Sequence, residues 1–186
     1  QILAGREVWS LAQRHGPFVV GSSGVEYALM QTWIDQDLTS GSSAFDPMSP
    51  VDRIAVVSGS VSPTTGAQIK HAAANGFECI PLDPITLACC DGGSVIEDVV
   101  RRCMDGLSQG RSVIVHTALG PAADRSKEID EIEGARHRLG RGLGNILKRL
   151  VLEAQLSRAV IAGGDTSSHA LGQLGVDALT VRFPLP

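Results

Sequence analysis

The sequence predicts an α/β fold, a doubly wound and mostly parallel sheet with helices on both faces. Three observations point there. Short runs of Val, Ile and Ala alternate with longer stretches of helical periodicity, the pattern of strand–helix–strand units whose sheet is covered on both sides. Aromatic residues make up 4% of the chain against 43% hydrophobic residues, so the core is aliphatic. Glycine, at 21 of 186 residues, exceeds the roughly 7% of average usage and falls largely where elements end.

Taken in order, Ile2–His15 carries Ile2, Leu3, Val8, Trp9 and Leu11 in a loose helical pattern. "PFVVGSSGVEYALM" then reads as a short strand, a Gly-Ser turn and a second helix running to about Asp35. The Ser-, Gly-, Asp- and Pro-rich stretch Asp35–Pro50 is the linker candidate. It divides the chain into residues 1–35, a linker at 36–50 and an alternating domain at 51–186. Within that domain strands are expected at Arg53–Ser58, Glu78–Leu82, Arg111–Thr117, Arg158–Gly164 and Asp177–Phe183. Helices are expected at Ser62–Asn75, Ser94–Ser108, Leu139–Ser157 and Thr166–Leu174. "ADRSKEIDEIEGARH" (Ala123–His137) is densely charged and reads as a solvated, partly helical connection.

Charge and composition exclude several classes of function. The formal charge is −4, the isoelectric point is near 5.7, and no basic run or basic–aromatic stripe appears, which argues against nucleic acid as a partner. No apolar stretch approaches the ~18–20 residues that span a bilayer. Cys79, Cys89, Cys90 and Cys103 lack metal-ligand spacing and read as reduced thiols of a cytoplasmic protein. His15, His71, His116, His137 and His169 show no metal spacing either.

Two turns stand out. "SGSVSPTT" ends the strand at Ser58 with Gly59 and Ser60, and Ser62 then suits an N-cap with Pro63 at the first helical position. "AGGDTSSHAL" also follows a strand and opens a helix, with Gly163, Gly164, Asp165 and Thr166 at the junction. In an open parallel sheet ligands sit beyond the carboxyl ends of the strands, where free N–H groups and a helix dipole favour anions. Two such turns on one edge make a cleft suited to a nucleotide. The same residue types also serve ordinary helix capping. Neither turn contains Lys or Arg, so a phosphate there needs a metal ion or basic groups from elsewhere. Asp165 suits either a Mg²⁺ shell or an N-cap.

Other glycine patterns lead elsewhere. No Gly-x-x-x-x-Gly-Lys-[Ser/Thr] occurs, which excludes a P-loop. "GRGLG" (Gly140–Gly144) does not follow a strand and suits close helix packing. "GLSQG" (Gly106–Gly110) imitates a nucleophile elbow, but a helix precedes it and a strand follows, the reverse of what that motif needs.

"VVSGSVSPTTGAQIKHA", followed about a hundred residues later by "RAVIAGGDTSSHALGQLGVDAL", resembles the nucleotide-binding domain of the four-carbon acid sugar kinases. The resemblance covers about Arg53 to Phe183, and "PFVVGSSGVEYAL" looks like the end of that family's substrate domain. It implies a kinase that phosphorylates acids such as threonate, erythronate or 2-oxo-tetronate with ATP and Mg²⁺. The nucleotide and a small sugar acid are the implied partners, and homo-oligomerisation is possible. Ser58, Gly59, Ser60 and Ser62 would line the nucleotide phosphates or ribose, and Gly163, Gly164, Asp165 and Thr166 would form the second wall. Thr64, Thr65 and Gln68 are secondary candidates. The family's Asp-Asp-x-Thr-Gly and Lys-Ser-Gly-Asn-Phe-Gly segments are absent. The expectation is therefore a nucleotide-binding portion that does not turn over alone, its catalytic base lying elsewhere. The rival readings are a non-catalytic module sensing a nucleotide or phosphometabolite, and an NAD(P) oxidoreductase, which lacks its fingerprint here.

Overall fold

The computed structural model describes residues 2–40, 48–89 and 92–180. The chain divides into two compact units, one ending at Met48 and the other beginning at Ser49.

Among the described residues the first unit has a pair of helices, α1 (Ile2–His15) and α2 (Ser23–Asp35). They meet at Gly5, where an added Cβ would stand 2.0 Å from the Ala28 carbonyl oxygen. The Trp9 and Trp33 rings meet edge to face at 5.6 Å, and the Trp9 indole donates to Gln36 at 3.0 Å. The strand expected just before α2 does not form. Phe18 and Val20 are 97% and 101% exposed. An extended run becomes a strand only when a neighbour takes its N–H and C=O groups, and no described residue does so here.

Among the described residues the second unit holds four strands: β1 (Ala55–Ser58), β2 (Glu78–Pro81), β3 (Val113–His116) and β4 (Ala159–Ala162). They form one parallel sheet in the order β2-β3-β1-β4. Alternation sets its two faces. Ala55, Val57, Ile80, Val113 and Val115 point one way, into the core. There they meet α5 (Gly93–Ser108) and α7 (Ala135–Glu153). Helix α7 presents Leu143, Ile146, Leu147 and Leu150, a three-four spacing that makes one apolar stripe, all fully buried. Each such side chain contributes about 1.5–3 kcal/mol. Helix α3 (Pro63–Ala74) covers the other face, where the Cys79 thiol of β2 lies 3.9 Å from the Ile69 carbonyl.

The glycines of "GRGLG" lie within α7 and let its neighbours close in. An added Cβ at Gly144 would come 2.6 Å from the Ala170 Cα of α8 (Gly164–Leu174), one at Gly140 would come 2.7 Å from the His169 Cβ, and one at Gly142 would come 2.8 Å from Leu87. Leu87 belongs to α4 (Pro84–Ala88), a short helix the sequence did not announce. Asp83 caps it, accepting from the Thr86 N–H at 3.1 Å and the Thr86 hydroxyl at 2.6 Å. The charged connection after β3 folds as a 3₁₀ turn at Pro121–Ala123, then α6 (Ser126–Asp130), then the first turn of α7, which begins four residues earlier than its periodicity indicated. Asp177–Thr180 of the last expected strand is irregular, and the rest of that strand, residues 41–47 of the linker, and Cys90 lie outside the described residues. Among the described residues no helix is long and apolar enough to cross a membrane.

Candidate functional site

Because β1 and β4 are parallel neighbours, with Ser58 opposite Ala162, the turns that follow them leave the sheet side by side. The Gly59 N–H donates to the Ala162 carbonyl at 3.1 Å and joins the two. Gly59 has no room for a side chain, since a Cβ there would sit 2.2 Å from the Thr166 hydroxyl oxygen. Gly163 adopts φ +115°, a conformation that favours glycine, and a Cβ on it would stand 3.2 Å from the same hydroxyl.

The serines hold the first turn in shape. Buried Ser58 accepts from the Ser60 N–H at 3.4 Å. The Ser60 hydroxyl accepts from the Ser62 N–H at 3.2 Å and lies 3.1 Å from the Thr65 hydroxyl of α3. Ser62 occupies the N-cap position with Pro63 after it, but its side chain makes no capping bond. The second turn departs from the capping alternative: Gly163 is the N-cap of α8, and Asp165 sits in the first turn with its side chain 82% exposed. Ser167 returns both its N–H (2.9 Å) and its hydroxyl (2.7 Å) to the Gly163 carbonyl.

A cleft open to solvent lies against these turns. Gly59, Asp165 and Thr166 line it, whereas Ser58, Ser60, Ser62, Gly163 and Gly164 shape the turns behind that lining. Thr64 and Gln68 are exposed on α3. His169 does not reach the cleft wall and packs edge-on against the His137 ring at 4.6 Å, over Gly140.

The opposite wall comes from the charged connector. Arg125 and Arg136 both line the cleft. Arg125 bridges Asp83 and Glu128, with Nε 2.9 Å from the latter. Arg136 binds Asp130 through Nε (2.6 Å) and Nη2 (2.9 Å), and its Nη1 lies 3.8 Å from Asp165. The hydrogen bond from Arg136 holds the Asp130 carboxyl below the usual range, as Arg125 does for Glu128. Partial burial works to raise Asp83, but the bonds from Thr86 and the charge of Arg125 outweigh it and leave it low. Behind this wall, at the end of β3, His116 is buried, its Nδ1 makes no hydrogen bond among the described residues, and burial pushes its pKa down against a contrary pull from the Ala118 backbone.

These arginines were missed in the sequence because a dense run of alternating charge reads as a solvated face. One signal was available: the run leaves the carboxyl end of β3, beside β1, on the same edge as the Gly-Ser turns. With each arginine already paired to carboxylates, the cleft is not a strongly basic pocket. Among the described residues no group of three or more His, Cys, Asp or Glu side chains could hold a metal ion. The donor set does fit Mg²⁺ carried in on phosphates, which needs only one or two protein carboxylates, and Asp165 offers one.

Residues 55–185 match the family of nucleotide-binding C-terminal domains. The chain is 41% identical over 191 residues to a 3-oxo-isoapionate kinase of Paraburkholderia graminis, covering 98% of this chain and 40% of that protein. It is 25% identical over 167 residues to a 3-oxo-tetronate kinase of Cupriavidus necator, covering 89% and 37% respectively. Among solved structures, a Haemophilus influenzae protein shares the fold, with a TM-score of 0.57 at 23% identity over 83% of this chain and 36% of that one. The chain thus spans about two fifths of the length of the curated relatives it matches.

Proposed function

This chain belongs to the nucleotide-binding C-terminal domain family of the four-carbon acid sugar kinases, and from that premise we propose that it supplies the ATP-binding part of an ATP-dependent sugar-acid kinase. The observation that carries the reading is the pairing of the β1–α3 and β4–α8 turns at one sheet edge, with Gly59 seated against Thr166 beside an open cleft. Gly59 faces the donor's phosphates or ribose from one side, in a turn that Ser58, Ser60 and Ser62 hold in shape. Asp165 and Thr166 face them from the other, in a turn set by Gly163 and Gly164, with α8 directing its N–H groups toward the anion.

Phosphoryl transfer asks the protein mainly for positioning and charge stabilisation. The turns position; the cleft arginines and the metal answer the charge. Asp165 is the residue that would reach Mg²⁺ bound with the nucleotide, which would supply neutralising charge to the phosphates. The acceptor is a 3-oxo sugar acid, as in the names of both relatives, and its site and base belong to the part of such kinases that this chain does not span.

Calorimetric titration with MgATP, MgADP and NADH in parallel tests this. Saturable one-to-one binding of the adenosine phosphates alone is expected, weakened in Ser60→Ala and in Asp165→Ala. Binding of NADH alone would sink the kinase reading, and unchanged affinity in both variants would place the nucleotide elsewhere.

A further inference from the structure

Arg136 is gripped along one edge only. Asp130 takes its Nε and Nη2 at 2.6 and 2.9 Å, a two-point contact that fixes the plane of the guanidinium. Nη1 is left on the other side, facing Asp165 at 3.8 Å. That separation is too long for a hydrogen bond. Nη1 therefore has a charge near it but no bonded acceptor among the described residues. Both side chains line the cleft that Gly59 and Thr166 also line.

The position of Arg136 in its helix is also costly. It stands second in the 19-residue α7, followed by His137 and Arg138, with no acidic residue in that first turn. A helix dipole disfavours cations at that end. Sequences tend to break such local rules at functional sites. Arg138 has a structural use, donating to the Ala88 carbonyl at 2.6 Å and to that of Glu133 at 2.8 Å. Arg136 has none beyond its exposed ion pairs, which stabilise little.

We propose that Arg136, positioned by Asp130, donates from Nη1 to the polyphosphate tail of the nucleotide, in the place that Asp165 faces in its absence. This rests on the nucleotide-binding reading above and deepens it. A guanidinium suits the task because it is always charged and can be held by one edge while it donates from another. Asp130 is the positioning residue: it occupies two donors and aims the third. Asp165 is exposed and, among the described residues, is met only through the long contact, so it is free to turn from Arg136 toward the Mg²⁺ that the phosphates carry. The site should then select for the length of the phosphate tail, favouring ATP over AMP.

The test is calorimetric titration of the full-length protein and its Arg136→Gln, Arg136→Lys and Asp130→Asn variants with MgATP and with AMP, melting temperature serving as a check on folding. Arg136→Gln should weaken MgATP about tenfold and AMP less than about twofold, as expected for loss of one charge-assisted contact to the tail. Lysine should restore only part of this, because an ammonium cannot be held by Asp130 in the same two-point way. Asp130→Asn should give a smaller loss with the same ATP-only pattern. Equal MgATP affinity in the parent and Arg136→Gln would overturn the inference and leave the nucleotide reading standing. Equal losses for both ligands would also overturn it, since they would mark a structural lesion. A parent that binds neither ligand would overturn both readings together.

Discussion

The two walls of the cleft are built in opposite ways. The β1–α3 and β4–α8 turns contain no Lys or Arg, and their shape comes from close contact between backbone and side-chain hydroxyls, Gly59 on Thr166 and Ser62 on Ser60. The wall from the end of β3 to the first turn of α7 carries Arg125, Asp130 and Arg136, and its shape comes from ion pairs at the surface. The contrast teaches that one site can separate its tasks. A wall set by contact fixes where a ligand's atoms go and tolerates almost no added volume. A wall set by charge answers to salt, pH and the ligand itself, and its members can exchange partners.

If that contrast holds, damage to the contact wall should be the more severe. Gly59→Ala places a methyl 2.2 Å from the Thr166 oxygen. Overpacking of this kind costs about 1–3 kcal/mol, so thermal melting should fall by roughly 2–12 °C. Adding Thr166→Ala should recover most of the loss, because the next atoms lie at 3.5 Å. A Gly59→Ala protein that melts with its parent would show the turn to be pliable and the contrast wrong.

On the charged wall, Asp83→Ala removes both the cap of α4 and a partner of Arg125. Loss of the cap should lower stability by about 1 kcal/mol, read as a shifted urea midpoint. An unchanged midpoint would mean that α4 is held by packing alone. Asp165→Asn should act on binding and reverse sign with the metal. In Mg²⁺ the affinity for ATP falls a few-fold, whereas in EDTA it rises, because the repelling carboxylate is gone. The same direction in both conditions would remove Asp165 from the phosphate environment.

The smallest effect belongs to His116, which pairs in register with Ser58 between the two walls. Its folded pKa lies below the ordinary 6.5 because burial disfavours the imidazolium. The unfolded chain therefore binds the proton first. Stability from this group is full above about pH 6.5 and declines as the pH falls from there through the lowered folded value. Urea midpoints at pH 7.5 and 5.5 should differ less in His116→Gln than in the parent, and an identical acid loss in both would assign it to other groups.

Much of the scaffold could be read from the chain because each strand and most helices announce themselves locally. Four strands stand within two residues of their expected bounds, since Val/Ile runs closed by Gly or Ser leave few alternatives. The role of "GRGLG" as a packing surface was equally readable, because no strand precedes it. What failed depended on partners. Pro17–Val20 has strand chemistry but no neighbouring strand among the described residues, and Asp177–Thr180 likewise stays irregular. Helix α4 is too short to show periodicity and exists through its Asp83 cap and Leu87 seated on Gly142. For the cleft, the small residues of both turns could be picked out, but not how Thr166 excludes a side chain at Gly59, which is a contact across more than a hundred positions. Arg125 and Arg136 were hidden for another reason: charge density is a local property, whereas which side of it faces a cleft is decided by the sheet.

The strand order carries a consequence for how the protein comes into being. Next to β1 lie β3 and β4, while the strand made directly after it, β2, is at the far edge. No hairpin can bring the two turns of the cleft together early. Roughly a hundred residues separate the end of β1 from β4, about 5–20 s of synthesis at typical ribosomal rates. Throughout that interval Gly59 waits without Thr166, and the contact wall of the cleft stays incomplete. If the nucleotide binds there as proposed, adding it during refolding should leave the early phases unchanged and act on the one in which β4 docks.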